Sequence, residues 1–311
     1  MANPTLVIGA GSFIGRHLVA RLRAGGAEVV GTARQVVGRS GFVTCDLCDA
    51  DAVERVVKEI RPARIFQCAA VTSAGEAPEA LYRLHVNGTL HLLRAVSRYA
   101  ADAALIAFGS AAEYGRVSEE CLPIYEEQPP GALSFYGASK LAQTYATAAA
   151  AAEWGLRVLI VRPFNVLGPG LPGHYVAAAI AQRLLQEGQT DGPFPVANAG
   201  ATRDFLDVRD VAEACVLLTE RAVPSPGAPQ VYNVASGVET PVLAVAERLC
   251  ALAGQRRAVD EGASRSRSGI ARSRGDATRL QRATGWAPRI TLEQSLADMW
   301  REIQRPTASA A

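Results

Sequence analysis

Tyr136 and Lys140 stand four residues apart in "SFYGASK" (134–140), at the head of an Ala-rich stretch of strong helix formers. On a helix, residues i and i+4 lie one above the other on the same face. The pair therefore sets a phenol beside an ammonium. An ordinary tyrosine titrates near pH ~10, too high for a base at neutral pH. A neighbouring lysine ammonium favours the phenolate and lowers that value. Upstream, "ALIAFGS" (104–110) reads as a buried strand that delivers Ser110 to its carboxyl end. Hydroxyl, phenol and ammonium together form a proton-transfer set. Ser110 can hold an oxygen by hydrogen bond while Tyr136 moves the proton.

Positioning these groups requires elements that bring residues 110, 136 and 140 to one edge. Short apolar runs at 5–10, 28–34, 64–70, 104–110 and 157–166 alternate with amphipathic stretches at 14–26, 50–60, 77–100 and 136–155. Such alternation predicts an α/β fold, a doubly wound parallel sheet covered on both faces. Ligands of such sheets bind beyond the carboxyl ends of the strands. At "GPGLPG" (168–173) a cluster of breakers ends the rhythm. The predicted division is a nucleotide-binding domain at 1–166 and a smaller, interleaved substrate-binding region at 167–311. Parts of 200–240 are expected to return to the sheet, and "PTASAA" reads as a frayed tail.

Composition excludes several classes. With 49% hydrophobic and 20% charged residues the chain is far from disordered composition. A net charge of +2 gives no general attraction to nucleic acid or to a membrane surface. No apolar run approaches the ~18 residues of a span, and "MANPTLVIGAG" shows no signal-peptide pattern. The expectation is a cytoplasmic protein with no nucleic-acid or membrane partner. Cys45 and Cys48 form a C-x-x-C with no second pair or His cluster at zinc-site spacing, so no metal is expected.

"VIGAGSFIG" (7–15) places Gly9, Gly11 and Gly15 at the first strand–helix junction, with Ser12, Phe13 and Ile14 completing the loop. Glycines there let the backbone approach a pyrophosphate at a helix N-terminus. This context predicts a dinucleotide. An NAD site usually has an acidic residue at the end of the second strand, for the ribose 2′-hydroxyl. "VVGTAR" offers Thr32 and Arg34 instead, and Arg34 suits a 2′-phosphate. NADP(H) is expected over NAD(H).

In this order along nearly the whole chain, the motifs resemble the extended short-chain dehydrogenase/reductase family, which includes nucleotide-sugar epimerases, dehydratases and 4-ketoreductases. "GAGSFIG" resembles its glycine loop, although the family's usual fourth-place glycine is Ser12 here. "CDLCD" (45–49) resembles its adenine-contact strand end, with Asp46 and Leu47, and "CAA" (68–70) the turn after the fourth strand, with Ala69 and Ala70. "GSAAEYG" (109–115) and "YGASK" match the serine strand and the Tyr–Lys motif. "RPFNVLGPG" (162–170) is similar to the segment that contacts nicotinamide and sugar, through Pro163 and Asn165. "RDFLDVRDVA" (203–212), "VYNVASG" (231–237) and "GWAPRITLEQSL" (285–296) complete the pattern. The resemblance implies a Rossmann-like domain and catalytic roles for Ser110, Tyr136 and Lys140. It also implies a diphosphate held by Arg203 and by a second arginine of "SRSRSGIARSR" (264–274), with Arg265 or Arg267 nearest the family position. The long helices at 77–100 and 136–154 are implied to pair in a homodimer.

The residues directly after Ser110 narrow the reaction. Family dehydratases carry acid–base carboxylates there, and Ala111 and Ala112 cannot protonate a departing hydroxyl. Glu113 would face away in an extended strand, unless a turn re-aims it. His174 reads as an ordinary loop residue, and Asp204, Asp207 and Asp210 as structural. Closest in pattern are the NADPH-dependent reductases of NDP-4-keto-6-deoxyhexoses. An NAD-dependent nucleotide-sugar 4-epimerase is the alternative, and a non-catalytic NADP-binding sensor a third.

Overall fold

In a computed structural model, described over residues 4–36, 40–71, 76–190, 192–262 and 269–305, the alternation folds as expected. The first half runs β1 (Thr5–Ile8), α1 (Phe13–Ala24), β2 (Val29–Ala33), β3 (Phe42–Thr44), α2 (Ala50–Ile60) and β4 (Arg64–Gln67). It continues with α3 (Pro78–Tyr82), a π-helical turn (Arg83–Gly88), α4 (Thr89–Tyr99), β5 (Ala104–Phe108), α5 (Phe135–Trp154) and β6 (Arg157–Pro163). The remainder holds β7 (Asn165–Leu167), α6 (Val176–Glu187), β8 (Phe194–Ala197), β9 (Thr202–Asp207) and α7 (Val208–Arg221). After these come β10 (Gln230–Val234), β11 (Glu239–Pro241), α8 (Val242–Leu252), β12 (Val259–Gly262), α9 (Thr278–Thr284) and α10 (Leu292–Ile303).

Seven strands form one parallel sheet in the order β10-β6-β5-β4-β1-β2-β3. The chain winds outward from β1 through β2 to β3, then returns to β4 on the other side of β1. That reversal opens a crevice between the carboxyl ends of β1 and β4, the place where such sheets bind ligands. Period-two alternation feeds both faces. Val7 packs with Leu18, Leu22, Val211 and Cys215 on the α1/α7 face. Leu6 and Ile8 pack with Val53, Val57, Leu92 and Val96 on the opposite face. A third cluster joins α6, α8 and α10 through Ala181, Leu184, Val245, Leu249 and Trp300.

Three departures from the expected elements have local causes. The run 157–166 reads as one strand, but the chain leaves the large sheet at Phe164, whose N–H donates to Val234 O at 3.0 Å. Asn165–Leu167 then pairs with β9 in a separate three-stranded sheet. The helix expected over 77–100 is interrupted by the π turn. β3 has only three residues, none of them buried, too short for periodicity to register.

Candidate active site

The glycine loop is built for a close neighbour. Gly9 has φ +75°, and a Cβ there would stand 2.6 Å from Ala69 N. A Cβ on Gly15 would stand 2.3 Å from Gly9 O. Those two glycines seat the loop against α1 and the end of β4. At Gly11, by contrast, a Cβ would meet nothing within 4 Å. Ser12 turns its hydroxyl inward, accepting from Gly15 N at 3.1 Å and donating to Cys68 O at 3.2 Å. It caps α1, so the departure from glycine leaves the cradle in place. Loop, helix N-terminus and open space beside Gly11 fit a pyrophosphate.

Among the two residues expected at a 2′-phosphate, the structure separates roles. Thr32 is only 1% exposed, and its Oγ1 accepts from Gly9 N at 3.2 Å. It braces the glycine loop from beneath instead of facing a ligand, which corrects the expectation. Arg34 is exposed just past β2 and makes no hydrogen bond or ion pair among the described residues. At the end of β3, Asp46 is exposed and accepts from Cys48 N at 2.9 Å. Leu47 is buried against Gly88, so only its backbone could reach a ligand.

Beyond the strand ends lies a cleft of about 380 Å³, lined by Phe13, Ile14, Ala70, Ser110, Tyr136, Lys140, Pro163, Asn165 and Arg203 among others. Ser110 ends β5 and opens a 3₁₀ turn (Ala111–Glu113), its Oγ accepting from Ala112 N at 3.1 Å. Ser134 caps α5 by accepting from Gly137 N at 3.0 Å. Gly137 is required between the tyrosine and the lysine, because a Cβ there would stand 2.6 Å from Ala112 O. That close approach puts Tyr136 beside Ser110 at the cleft wall.

Lys140 is 1% exposed, and its Nζ donates to Phe108 O at 2.7 Å and to Gln143 Oε1 at 2.9 Å. Two of its three donors are thereby spent. Burial pushes its pKa down to about 8, partly offset by Glu113. For Tyr136, burial pushes the phenol up, reinforced by the nearby Tyr175 and opposed by the neighbouring Ser110 hydroxyl. The lowering expected from Lys140 is not seen in the protein alone. The ammonium is directed at the Phe108 carbonyl and Gln143, and desolvation of the phenolate wins. A phenol so placed keeps its proton at neutral pH.

The turn does re-aim Glu113, but inward. Its carboxylate is 0% exposed, accepts from Ser110 N at 2.8 Å and pairs with Arg162 at 2.9 Å. Arg162 also donates to Tyr114 Oη at 3.0 Å, and Tyr114 Oη to Asn233 Oδ1 at 2.7 Å. Glu113 thus anchors the Ser110 turn to β6 and β10. Ala111 and Ala112 line the cleft in its place. No carboxylate lies among the described residues of the lining.

A model described as the NAD dependent epimerase/dehydratase family matches residues 5–235. The chain belongs to that family. It is 33% identical to the GDP-6-deoxy-D-mannose reductase of Pseudomonas aeruginosa, over 95% of each chain. The structure of RMD from Pseudomonas aeruginosa complexed with NADPH matches with a TM-score of 0.83 and 32% identity, covering 96% of this chain and 97% of that one. A Thermus thermophilus UDP-glucose 4-epimerase complex with NAD matches with a TM-score of 0.83 and 28% identity, covering 96% and 98%. Membership in the epimerase/dehydratase family, with this loop and sheet, makes the protein a nicotinamide-dinucleotide-binding oxidoreductase.

Within this family frame the arginines divide. Arg203 lines the cleft, donates to Thr202 O at 2.7 Å and has no carboxylate partner among the described residues. Arg272 is committed to Glu239 at 2.7 Å and Glu119 at 2.8 Å. Arg274 keeps a buried Nε without a partner among the described residues. Arg265 and Arg267 lie outside the described residues. The three aspartates bond the scaffold. Asp204 accepts from Ser236, Gly237 and Gly275 backbone N–H groups at 2.8–3.0 Å. Asp207 caps α7, and Asp210 accepts from Arg289 and Ile290 N–H. The Cys45 thiol is pushed up to about 11 by burial, unlike a poised thiolate. Tyr175, at the head of α6 with its ring tilted against His174, lines the cleft, as do Phe164 and Ser273. The sequence does not single out Tyr175, because the breaker-rich stretch before it has no period to say which side chains face inward.

Proposed function

We propose that this protein reduces the C4 ketone of an NDP-4-keto-6-deoxyhexose with NADPH, Tyr136 donating the proton. One arrangement carries the reading: Tyr136, its phenol kept protonated by burial, and Ser110 line one cleft whose described walls hold no carboxylate. Such a site can protonate a nascent alkoxide, and its described lining has no carboxylic acid to protonate a departing hydroxyl. Ser110 and Tyr136 receive the ketone oxygen by hydrogen bond. When bound, the reduced nicotinamide supplies the hydride. As the carbonyl oxygen gains charge, the Tyr136 proton passes to it, leaving a phenolate that Lys140 stabilises with its remaining donor. A solvent proton then restores the phenol.

On this reading the 1–166 domain holds NADPH through Gly9, Gly11, Ser12, Phe13, Ile14, Gly15, Asp46, the backbone of Leu47, Ala69, Ala70 and Pro163, with Arg34 at the 2′-phosphate. The 167–311 region holds the nucleotide sugar. Asn165 faces the sugar, and Arg203 and a second arginine of 265–274 hold the diphosphate. Guanidinium forks suit phosphate oxygens. Similarity to a GDP-6-deoxy-D-mannose reductase supports the reductase. The soluble substrate and six free cysteines suit the cytoplasm. No described helix is long and apolar enough to cross a membrane. Exposed Tyr82, Phe135 and Tyr145 on α3 and α5 support pairing of these helices in a homodimer.

Arg34→Asp should raise KM for NADPH by about 10- to 100-fold, the loss of charge-assisted hydrogen bonds. KM for NADH should stay near the wild-type value. Equal changes for both cofactors would remove Arg34 from the 2′-phosphate. The 4-epimerase reading, supported by the NAD-bound epimerase neighbour, differs in what the protein retains. An epimerase recycles its cofactor, so protein purified and then denatured in acid should release near-stoichiometric NAD. The reductase reading expects little bound nucleotide, and a full complement of NAD would overturn it.

A further inference from the structure

His85 sits in the π turn, wholly buried, and both of its ring nitrogens are engaged. Ser139 Oγ donates to Tyr136 O at 2.8 Å, which leaves that hydroxyl only lone pairs for the imidazole. His85 Nδ1, 2.9 Å from the same Oγ, must therefore be the donor. On the far side Val71 N donates to Nε2 at 3.2 Å. A neutral imidazole has one donor and one acceptor. Only the Nδ1–H tautomer satisfies both contacts. An imidazolium would point a second N–H at the Val71 N–H. Burial, with Lys140 adding repulsion, pushes the His85 pKa down to about 3. The ring also meets the Tyr136 ring edge-on, with centroids 5.9 Å apart and planes at 79°.

We propose that His85 is a positioning residue: as a fixed neutral tautomer it ties the Ala69–Val71 turn to the Tyr136–Lys140 helix, setting the phenol against the cofactor site. The inference rests on Tyr136 being the proton donor. The two halves of the imidazole do separate jobs. Nδ1–H holds the first turn of α5 through Ser139, and the ring edge packs the phenol. Nε2 holds Val71, which continues the turn where Ala70 lines the cleft. The π turn supports the placement, since single π turns interrupting α-helices recur at functional sites. Thr89, at the head of α4, accepts from Gln67 Nε2 at 2.6 Å and so ties the turn to the end of β4.

Two conservative variants separate the jobs. The amide of His85→Asn can donate to Ser139 but falls short of Val71. The carbonyl of His85→Gln can reach Val71 but leaves Ser139. His85→Asn should raise the NADPH dissociation constant about tenfold, with a smaller change in kcat. His85→Gln should lower kcat about tenfold, with NADPH binding little changed. Ser139→Ala should reproduce the kcat loss of His85→Gln, and the double variant should be no worse than either. NADPH binding would be followed by its fluorescence, and kcat with whichever of the GDP- and dTDP-linked 4-keto-6-deoxyhexoses the wild type reduces. If both His85 variants lose kcat and NADPH affinity together, in step with a fall in melting temperature, the residue is merely structural and the proposal fails. Unchanged constants in both would also overturn it. Tyr136→Phe, run in parallel, tests the underlying reading. Retained turnover there would overturn the proton-donor role, while the loss of NADPH affinity in His85→Asn is read without turnover.

Discussion

Replacing Tyr136 with phenylalanine is expected to lower kcat by about 10²–10⁴-fold, the usual worth of a positioned general acid. The change deletes one oxygen. The ring and its edge-on contact with His85 stay, so fold and NADPH binding should be close to wild type. Removing the phenol leaves Ser110 as the hydroxyl facing the ketone, and its own proton is too tightly held to replace the one lost. KM for the keto-sugar should rise less than kcat falls, because the missing proton matters most as charge develops. Steady-state kinetics with a fluorescence titration of NADPH would show this split. A tenfold loss of NADPH affinity with unchanged kcat would assign Tyr136 to binding instead.

Lys140→Met should cost about 10²–10³-fold in kcat, as for loss of a donor aimed at developing negative charge. It has a second, thermodynamic signature. The pKa of Lys140 is pushed from 10.5 to about 8 by burial. Below pH 8 both folded and unfolded chains carry the proton, and the folded state bears the whole cost of burying the ammonium. Between pH 8 and 10.5 the unfolded chain binds more proton than the folded one, so stability rises with pH. The full difference is about 3 kcal/mol. Relative to Lys140→Met, the wild type should therefore gain stability between pH 7.5 and 10. Methionine leaves Phe108 O and Gln143 Oε1 without their donor, so the offset between the two proteins at neutral pH has either sign. The change with pH is the diagnostic quantity. Urea unfolding at a series of pH values measures it, and parallel curves would show that Lys140 is not desolvated.

Much of this site was legible because its parts have fixed spacing. Tyr136 and Lys140 share a helical face in any α-helix, and a buried strand ending at Ser110 points it at the ligand edge. Gly9, Gly11 and Gly15 mark a tight strand–helix turn, although only the structure shows that Gly9 and Gly15 serve its packing while Gly11 faces open space. Other features leave no such trace. Thr32 and Arg34 lie two apart at the end of one strand, and only the packing shows that Thr32 turns under Gly9 while Arg34 stays outside. Glu113 is re-aimed by a 3₁₀ turn into an ion pair with Arg162, a partner 49 residues away. The π turn that buries His85 depends on a local shift of hydrogen bonding within an otherwise ordinary amphipathic helix. The phenol's acidity escapes the sequence for a related reason. Proximity of Lys140 is readable there, but the Phe108 carbonyl and Gln143 that take up its donors are not.

The most direct test of the central claim is the oxidation of NADPH, followed by its absorbance, with GDP- and dTDP-linked 4-keto-6-deoxyhexoses offered separately and Tyr136→Phe as control. The reductase account predicts oxidation with one of the two nucleotides, matched by appearance of the 4-hydroxy sugar and lost in the control. No oxidation with either sugar, together with interconversion of a 4-hydroxy nucleotide sugar by protein carrying its own NAD, would contradict it.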